Sequence, residues 1–397
     1  KLAQQIICKD GLLFLFYALI FIRDKGKIAQ DFFTELVMQD TSMSRWLSPL
    51  MAFCLSFIII VGLAPSLGLQ IDRQIDFWAL WLGTMLLLAL PVIYLEIGLA
   101  KRSKTSALNA LSSLTRDADA SQRWRIVGWL SVVFIPFLAG GLIHNLSQLV
   151  ASQVQLGLSA DVVFIAGAVL AFVLSFVPRM ILVVFTALGV IASLVLSNTM
   201  GSHVTAWQMT PIEFNEWGNA TILALVASGL GLGLYWQSYS VNNTKDEAAT
   251  HQSLPIWIAQ LIAVVAFGYF AISAALPAYC ILFATVMASA ILIQMAKEQL
   301  AQRNIALIIQ FVILITALAV WAIPFIANVL TIALMLWGLV ICLIYSIFVG
   351  WIMKISHLRK ALNFSNEIFY NIWRIAVRIV LPLSIVLAII SYLGQLV

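Results

Sequence analysis

Apolar residues run through this chain in long unbroken stretches, separated by short clusters of charges, glycines and prolines. Eleven stretches approach the roughly 20 residues that a helix needs to cross a hydrocarbon core about 30 Å thick. They cover 47–69, 77–100, 126–153, 160–177, 180–198, 219–240, 254–276, 278–297, 304–323, 326–351 and 377–395. None alternates apolar and polar positions with the period of two that a barrel wall requires, so all eleven spans are predicted to be helices. Two connections, 107–122 and 357–372, read as amphipathic helices resting on the membrane surface. Before the first span, Gly11 to Ile22 is apolar but only about a dozen residues long, short for a crossing. Its flanks, Lys9-Asp10 and Arg23-Asp24-Lys25, fit an interfacial helix, and the end of a further span is the other reading. The predicted organisation is an N-terminal segment, 1–45, and a transmembrane domain, 46–397.

Composition sharpens this. With 62% hydrophobic and 10% charged residues and a mean hydropathy of +1.02, the chain lacks the polar surface of a soluble enzyme. The net charge of +5 is too dispersed for nucleic-acid binding. Cys8, Cys54, Cys280 and Cys342 have no paired spacing, so no disulfide, metal or cofactor is expected, and no nucleophile or carboxylate pair suggests catalysis. The basic residues report topology instead. Lys101, Arg102, Lys104, Arg116, Arg123 and Arg125 follow the second span, and Lys354, Arg359, Lys360, Arg374 and Arg378 precede the eleventh; Arg179, Lys245, Lys297 and Arg303 fall on the same side, against Arg73 alone on the other. The chain is therefore expected to enter the membrane from the cytoplasm and end outside.

Two spans carry interruptions. Val61-Gly62-Leu63-Ala64-Pro65 lies in the first, and Ser228-Gly229-Leu230-Gly231-Leu232-Gly233 in the sixth. Proline removes a backbone donor and glycine weakens a helix. Unpaired backbone at membrane depth is tolerable only beside a cavity or within protein. Close helix packing at small residues is the other explanation for each. Their positions are informative, because each begins a set of five spans, and corresponding breaks in two halves mark inverted-repeat transporters with a midplane site.

At these residues the chain resembles the neurotransmitter:sodium symporter family, with its bacterial leucine-transporter fold, from about Arg45 to the C-terminus. Arg45-Trp46 and Val61-Gly62-Leu63 look like the start of the family's first span and its unwound VGLGN segment. Leu90-Pro91 with Glu96 is similar to G-[IV]-P-x4-E; Ser228-Gly229-Leu230-Gly231 and Ser238-Tyr239 match S-x-G-x-G and ASY; Leu282 to Gln294 and Asn371 to Pro382 resemble the eighth and eleventh spans. The resemblance implies an all-α fold with a five-plus-five inverted repeat and a solute cavity formed by Val61, Gly62, Leu63, Ala64, Ile143, Ser228, Gly229, Leu230 and Gly231. It places an ion site, for Na+ or H+, at Val61, Ala284, Ser289 and Glu96. Arg45 and Glu298 either form an inner latch near Tyr239 or are ordinary surface charges.

Several positions depart from the family pattern. Pro65 replaces a sodium-coordinating Asn, Ile60 a small residue, Gly68 the outer-gate arginine, and an aliphatic residue the third-span tyrosine; Met287 and Ala288 align with the hydroxyl pair of the second sodium site. Ala274 to Tyr279 leaves no room for the family's outer lid. Glu96 either bonds the broken sixth helix and takes a proton or reaches the inner interface; His144 either shuttles a proton or packs as a neutral core histidine. The expected function is transport of a small amino-acid-like solute by alternating access. The rival is a non-transporting scaffold or accessory subunit with a membrane-protein partner. Transport requires both helices to open onto a shared void, whereas a space filled by Ile60, Ile143 and Met287 favours the rival.

Overall fold

The computed structural model describes residues 46–67, 75–153, 159–200, 209, 211–227, 229, 248–271, 277–323, 325–353, 355–364 and 366–396. The expectations for 1–45, for Gly68, and for 228 and 230–247 lie outside them. Among the described residues every regular element is helical. Eight helices are long and apolar enough to cross a membrane: Leu47–Leu67, Ile75–Ser103, Gln122–Ala151, Arg179–Thr199, Thr250–Tyr269, Ala278–Gln302, Ala327–Ile352 and Glu367–Gly394. Ala160–Leu174 and Leu307–Ala322 are shorter apolar helices at the expected fourth and ninth positions. Phe214–Ala227 begins the sixth. This is a multi-pass membrane protein.

The packing partners reveal an internal symmetry. The first span packs on the seventh, as the sixth packs on the second. Likewise the first packs on the fifth and the sixth on the tenth; the third on the fourth and the eighth on the ninth; the fifth on the eighth and the tenth on the third. Adding five to the position of each span, or subtracting it, converts one set of contacts into the other. Because five crossings are odd, the two sets run in opposite directions through the bilayer, which gives the inverted repeat its physical form. The eleventh span stands outside this exchange, against the sixth and tenth.

The ends of the spans sort to two faces. On one, the Asn109 Nδ2 donates to the Gln302 carbonyl at 2.9 Å, the Ala249 N–H to the Leu362 carbonyl at 2.9 Å, and Arg102 pairs with Asp117. This is the Lys/Arg-rich face. On the other, the Asn219 Nδ2 donates to the Leu67 carbonyl and the Ser391 hydroxyl to the Phe214 carbonyl, both at 3.1 Å. Of the two amphipathic connections, one is the helix Ala107–Asp117. The other is split into Ile355–Leu362 and Glu367–Ile375, and the second piece runs directly into the last span.

Candidate functional site

The first span departs from expectation. It remains α-helical from Leu47 to Leu63, with the Ala64 N–H bonded to the Ile60 carbonyl, and then tightens into a 3-10 turn over Ala64–Leu67. The expected unwinding at Val61, Gly62, Leu63 and Ala64 is thus absent. Pro65 lies near the helix end, where a missing donor costs least, and its effect is local: it denies the Val61 carbonyl its helical partner. The next two carbonyls turn to side chains. Gly62 accepts from the Asn145 Nδ2 at 2.9 Å, and Leu63 from the Ser66 hydroxyl at 2.7 Å. Gly62 is there for close packing, since a Cβ would lie 2.6 Å from the Leu142 Cδ2 and 3.3 Å from the Leu146 Cδ2.

The sixth span behaves differently. Its helix stops at Ala227, and buried Gly229 turns through φ 80°, a left-handed conformation that glycine adopts without a Cβ penalty. Ser228, Leu230 and Gly231 lie outside the described residues. Ile143 is a second correction. It is buried against the fourth span, 3.0 Å from where a Cβ on Gly167 would sit, so Leu142 and Leu146 form the wall beside Gly62. Ile60, Leu63, Ala64, Met287 and Ala288 are all buried apolar side chains.

The expected ion-site residues face different neighbours. Ala284 packs against Gly189 of the fifth span, 2.9 Å from where its Cβ would be. The Ser289 hydroxyl points to the Ala139 carbonyl of the third span at 3.4 Å. Glu96 is completely buried, within electrostatic reach of Cys342 and Tyr345 of the tenth span, which removes the reading that it is solvated at the inner interface. Val61 offers a carbonyl alone. His144 packs between the rings of Phe164 and Trp321, at 5.6 and 5.7 Å, as a core histidine would.

Two features escaped the sequence. Asn145, the group on the Gly62 carbonyl, was visible only as an amide inside an apolar run. The inner latch has another partner: Glu298 is held by Arg179, at the start of the fifth span, in a buried ion pair. The Arg179 Nε also reaches the Gln294 Oε1 at 3.5 Å, the Gln294 Nε2 donates to the Val177 carbonyl at 3.3 Å, and the Lys297 ammonium donates to the Ser175 carbonyl at 3.0 Å. The eighth span thereby clasps the turn between the fourth and fifth.

No family model matches the chain, and no curated protein matches it by sequence. Solved structures do match. MhsT in complex with L-phenylalanine aligns at 15% identity and a TM-score of 0.54, covering 88% of this chain and 99% of that one. The Eremococcus coleocola manganese transporter in complex with an aromatic bis-isothiourea substituted compound aligns at 12% and 0.50, over 88% and 86%. A mutant of that transporter aligns at 11% and 0.52, over 89% and 87%. With the exchange symmetry of its span contacts, the chain has an all-helical, leucine-transporter-like fold.

Proposed function

We propose that this protein is a secondary transporter that moves a small amino-acid-like solute by alternating access, from a midplane site built on the break in the sixth span. The observation that carries the reading is Gly229, where a membrane helix ends inside the protein and the backbone reverses its handedness. Broken helices at that depth present backbone donors and acceptors to a polar solute head. Ser228, Gly229, Leu230 and Gly231 would supply them. Val61, Gly62, Leu63 and Ala64 are apolar and closed off by Leu142 in this state, so a site that opened beside them would suit a hydrocarbon side chain better than a hydrated metal ion. The MhsT structure holds L-phenylalanine, in line with such a solute.

Sodium coupling at the expected ligands has little support, because a hard cation needs several oxygens on one centre and the expected residues face different neighbours, Ala284 packing on Gly189 with no side-chain oxygen and Ser289 turned to the third span. Uptake is therefore expected to be independent of sodium. The test is uptake of a radiolabelled amino-acid panel into proteoliposomes, in sodium or choline chloride. Saturable uptake, equal in both salts and abolished in Gly229→Val, is the expected result. Absence of saturable uptake in folded protein overturns it.

One observation favours a second reading. The first span is closed and hydrocarbon-filled where a paired opening was required, as suits a non-transporting scaffold for another membrane protein. That reading gains only if uptake is absent and a membrane partner co-purifies.

A further inference from the structure

The last span carries its own chemistry at the Lys/Arg-rich face. Ile368, Ile372, Ile375, Ile379, Leu383 and Val386 recur every three or four residues and are all exposed, an apolar stripe facing hydrocarbon. Beside the stripe lie Arg374 and Arg378, one turn apart and half-buried. Neither has a carboxylate partner among the described residues. Between 355 and 380 the chain has four Lys/Arg (Arg359, Lys360, Arg374, Arg378) and a single acid, Glu367, which Arg359 holds at 3.1 Å.

Arg378 is fixed in place. Pro382 has no N–H for the Arg378 carbonyl. The exposed Trp351 of the tenth span fills the gap, its indole Nε1 donating to that carbonyl at 3.0 Å while the guanidinium lies 4.2 Å from the centre of its ring. Gly350 permits the approach, since a Cβ there would sit 3.0 Å from the Arg378 Cα. The crevice behind, lined by Leu358, Tyr370, Trp373 and Arg374 among others, holds only about 10 Å³. Any ligand of the two arginines must lie on the outer surface.

We propose that this surface binds a phospholipid with a net negative headgroup, its phosphate between Arg374 and Arg378 and an acyl chain along Ile372, Ile375 and Ile379. Guanidinium groups match phosphate oxygens, tryptophan sits at the headgroup level, and basic residues at the end of a span attract anionic lipid. A second copy packed here about a two-fold axis would bring the same unpaired arginines together, which disfavours it. A free phosphate would leave the stripe unused.

Native mass spectrometry of the full chain in detergent, titrated with dioleoyl-phosphatidylglycerol or dioleoyl-phosphatidylcholine, tests this. Two charges at roughly fivefold each make R374Q/R378Q about 25-fold weaker for phosphatidylglycerol, with R374K/R378K retaining most of the preference. Should the glutamine pair not fold, R374Q alone carries the comparison, at about fivefold. Equal binding of the two lipids, unchanged binding in the glutamine variants, displacement by inorganic phosphate alone, or a dimer that sheds the lipid would each overturn the proposal.

Discussion

Arg179 and Glu298 meet across 119 positions of sequence in a setting where charge is expensive. Removing one partner leaves the other buried and uncompensated, whereas replacing both with apolar residues removes the desolvation cost along with the attraction. R179A and E298A should each destabilise the protein by about 3–5 kcal/mol, and R179M/E298L by much less. Unfolding in detergent checks this; a double variant as damaged as the singles would mean that the pair is not the unit. Gly268 shows a steric constraint of the same local kind. A Cβ there would fall 1.1 Å from the Trp78 Cζ2, inside the ring itself. Gly268→Ala should therefore cost at least 1–3 kcal/mol, roughly the range for overpacking. W78L/G268A should regain part of that loss; a melting curve that shows no rescue would rule out the contact as the cause.

At the scale of elements, the helices themselves were legible because lipid demands length and apolarity, and both are written in the sequence. The span predicted at 326–351 is observed as Ala327–Ile352. The breaks were legible only in part. Val61-Gly62-Leu63-Ala64-Pro65 and the glycines after Ser228 are both helix-weakening strings, yet one remains helical and the other ends its helix. Gly62 is compensated by Leu142 and Leu146, and Pro65 sits where the helix is ending anyway. Such compensation comes from neighbours more than 75 residues away and leaves no local mark. The same holds for the π-helical turns, among them Met85–Ala89 in the second span. Trp257 of the seventh span donates its indole Nε1 to the Met85 carbonyl at 2.9 Å, stabilising a turn whose backbone geometry is widened. W257F keeps the ring and loses the donor, so it should lower stability by about 1 kcal/mol. The Leu90 N–H also reaches this carbonyl, so an unaltered unfolding midpoint would show that the backbone donor alone suffices.

At the scale of the whole molecule, the exchange symmetry carries a consequence for sidedness. With the five crossings per repeat that the sequence predicts, the two repeats would return the chain to the face it started from, and the eleventh span would then carry it across once more. The described hydrogen bonds agree: Leu67, Phe214, Asn219, Ser391 and Gln395 share one rim, while Ala249, Gln302 and Leu362 lie on the other with the basic connections. The packing does not say which rim faces inward; the charges predict that it is the Lys/Arg-rich one, because Lys and Arg are retained on the cytoplasmic side during insertion. Asp119, in the turn after the helix Ala107–Asp117, and Gln395, past the last span, are both suited to cysteine labelling. In right-side-out vesicles a membrane-impermeant maleimide should label Q395C and leave D119C untouched, with the reverse in inverted vesicles. The variants carry C8S and C280S, since Cys280 is only half-buried, and buried Cys54 and Cys342 should contribute no background on either side. If both introduced cysteines reacted from one side, the number of crossings between residues 119 and 395 would have to be even, and the odd final span that sets this chain's polarity would be lost.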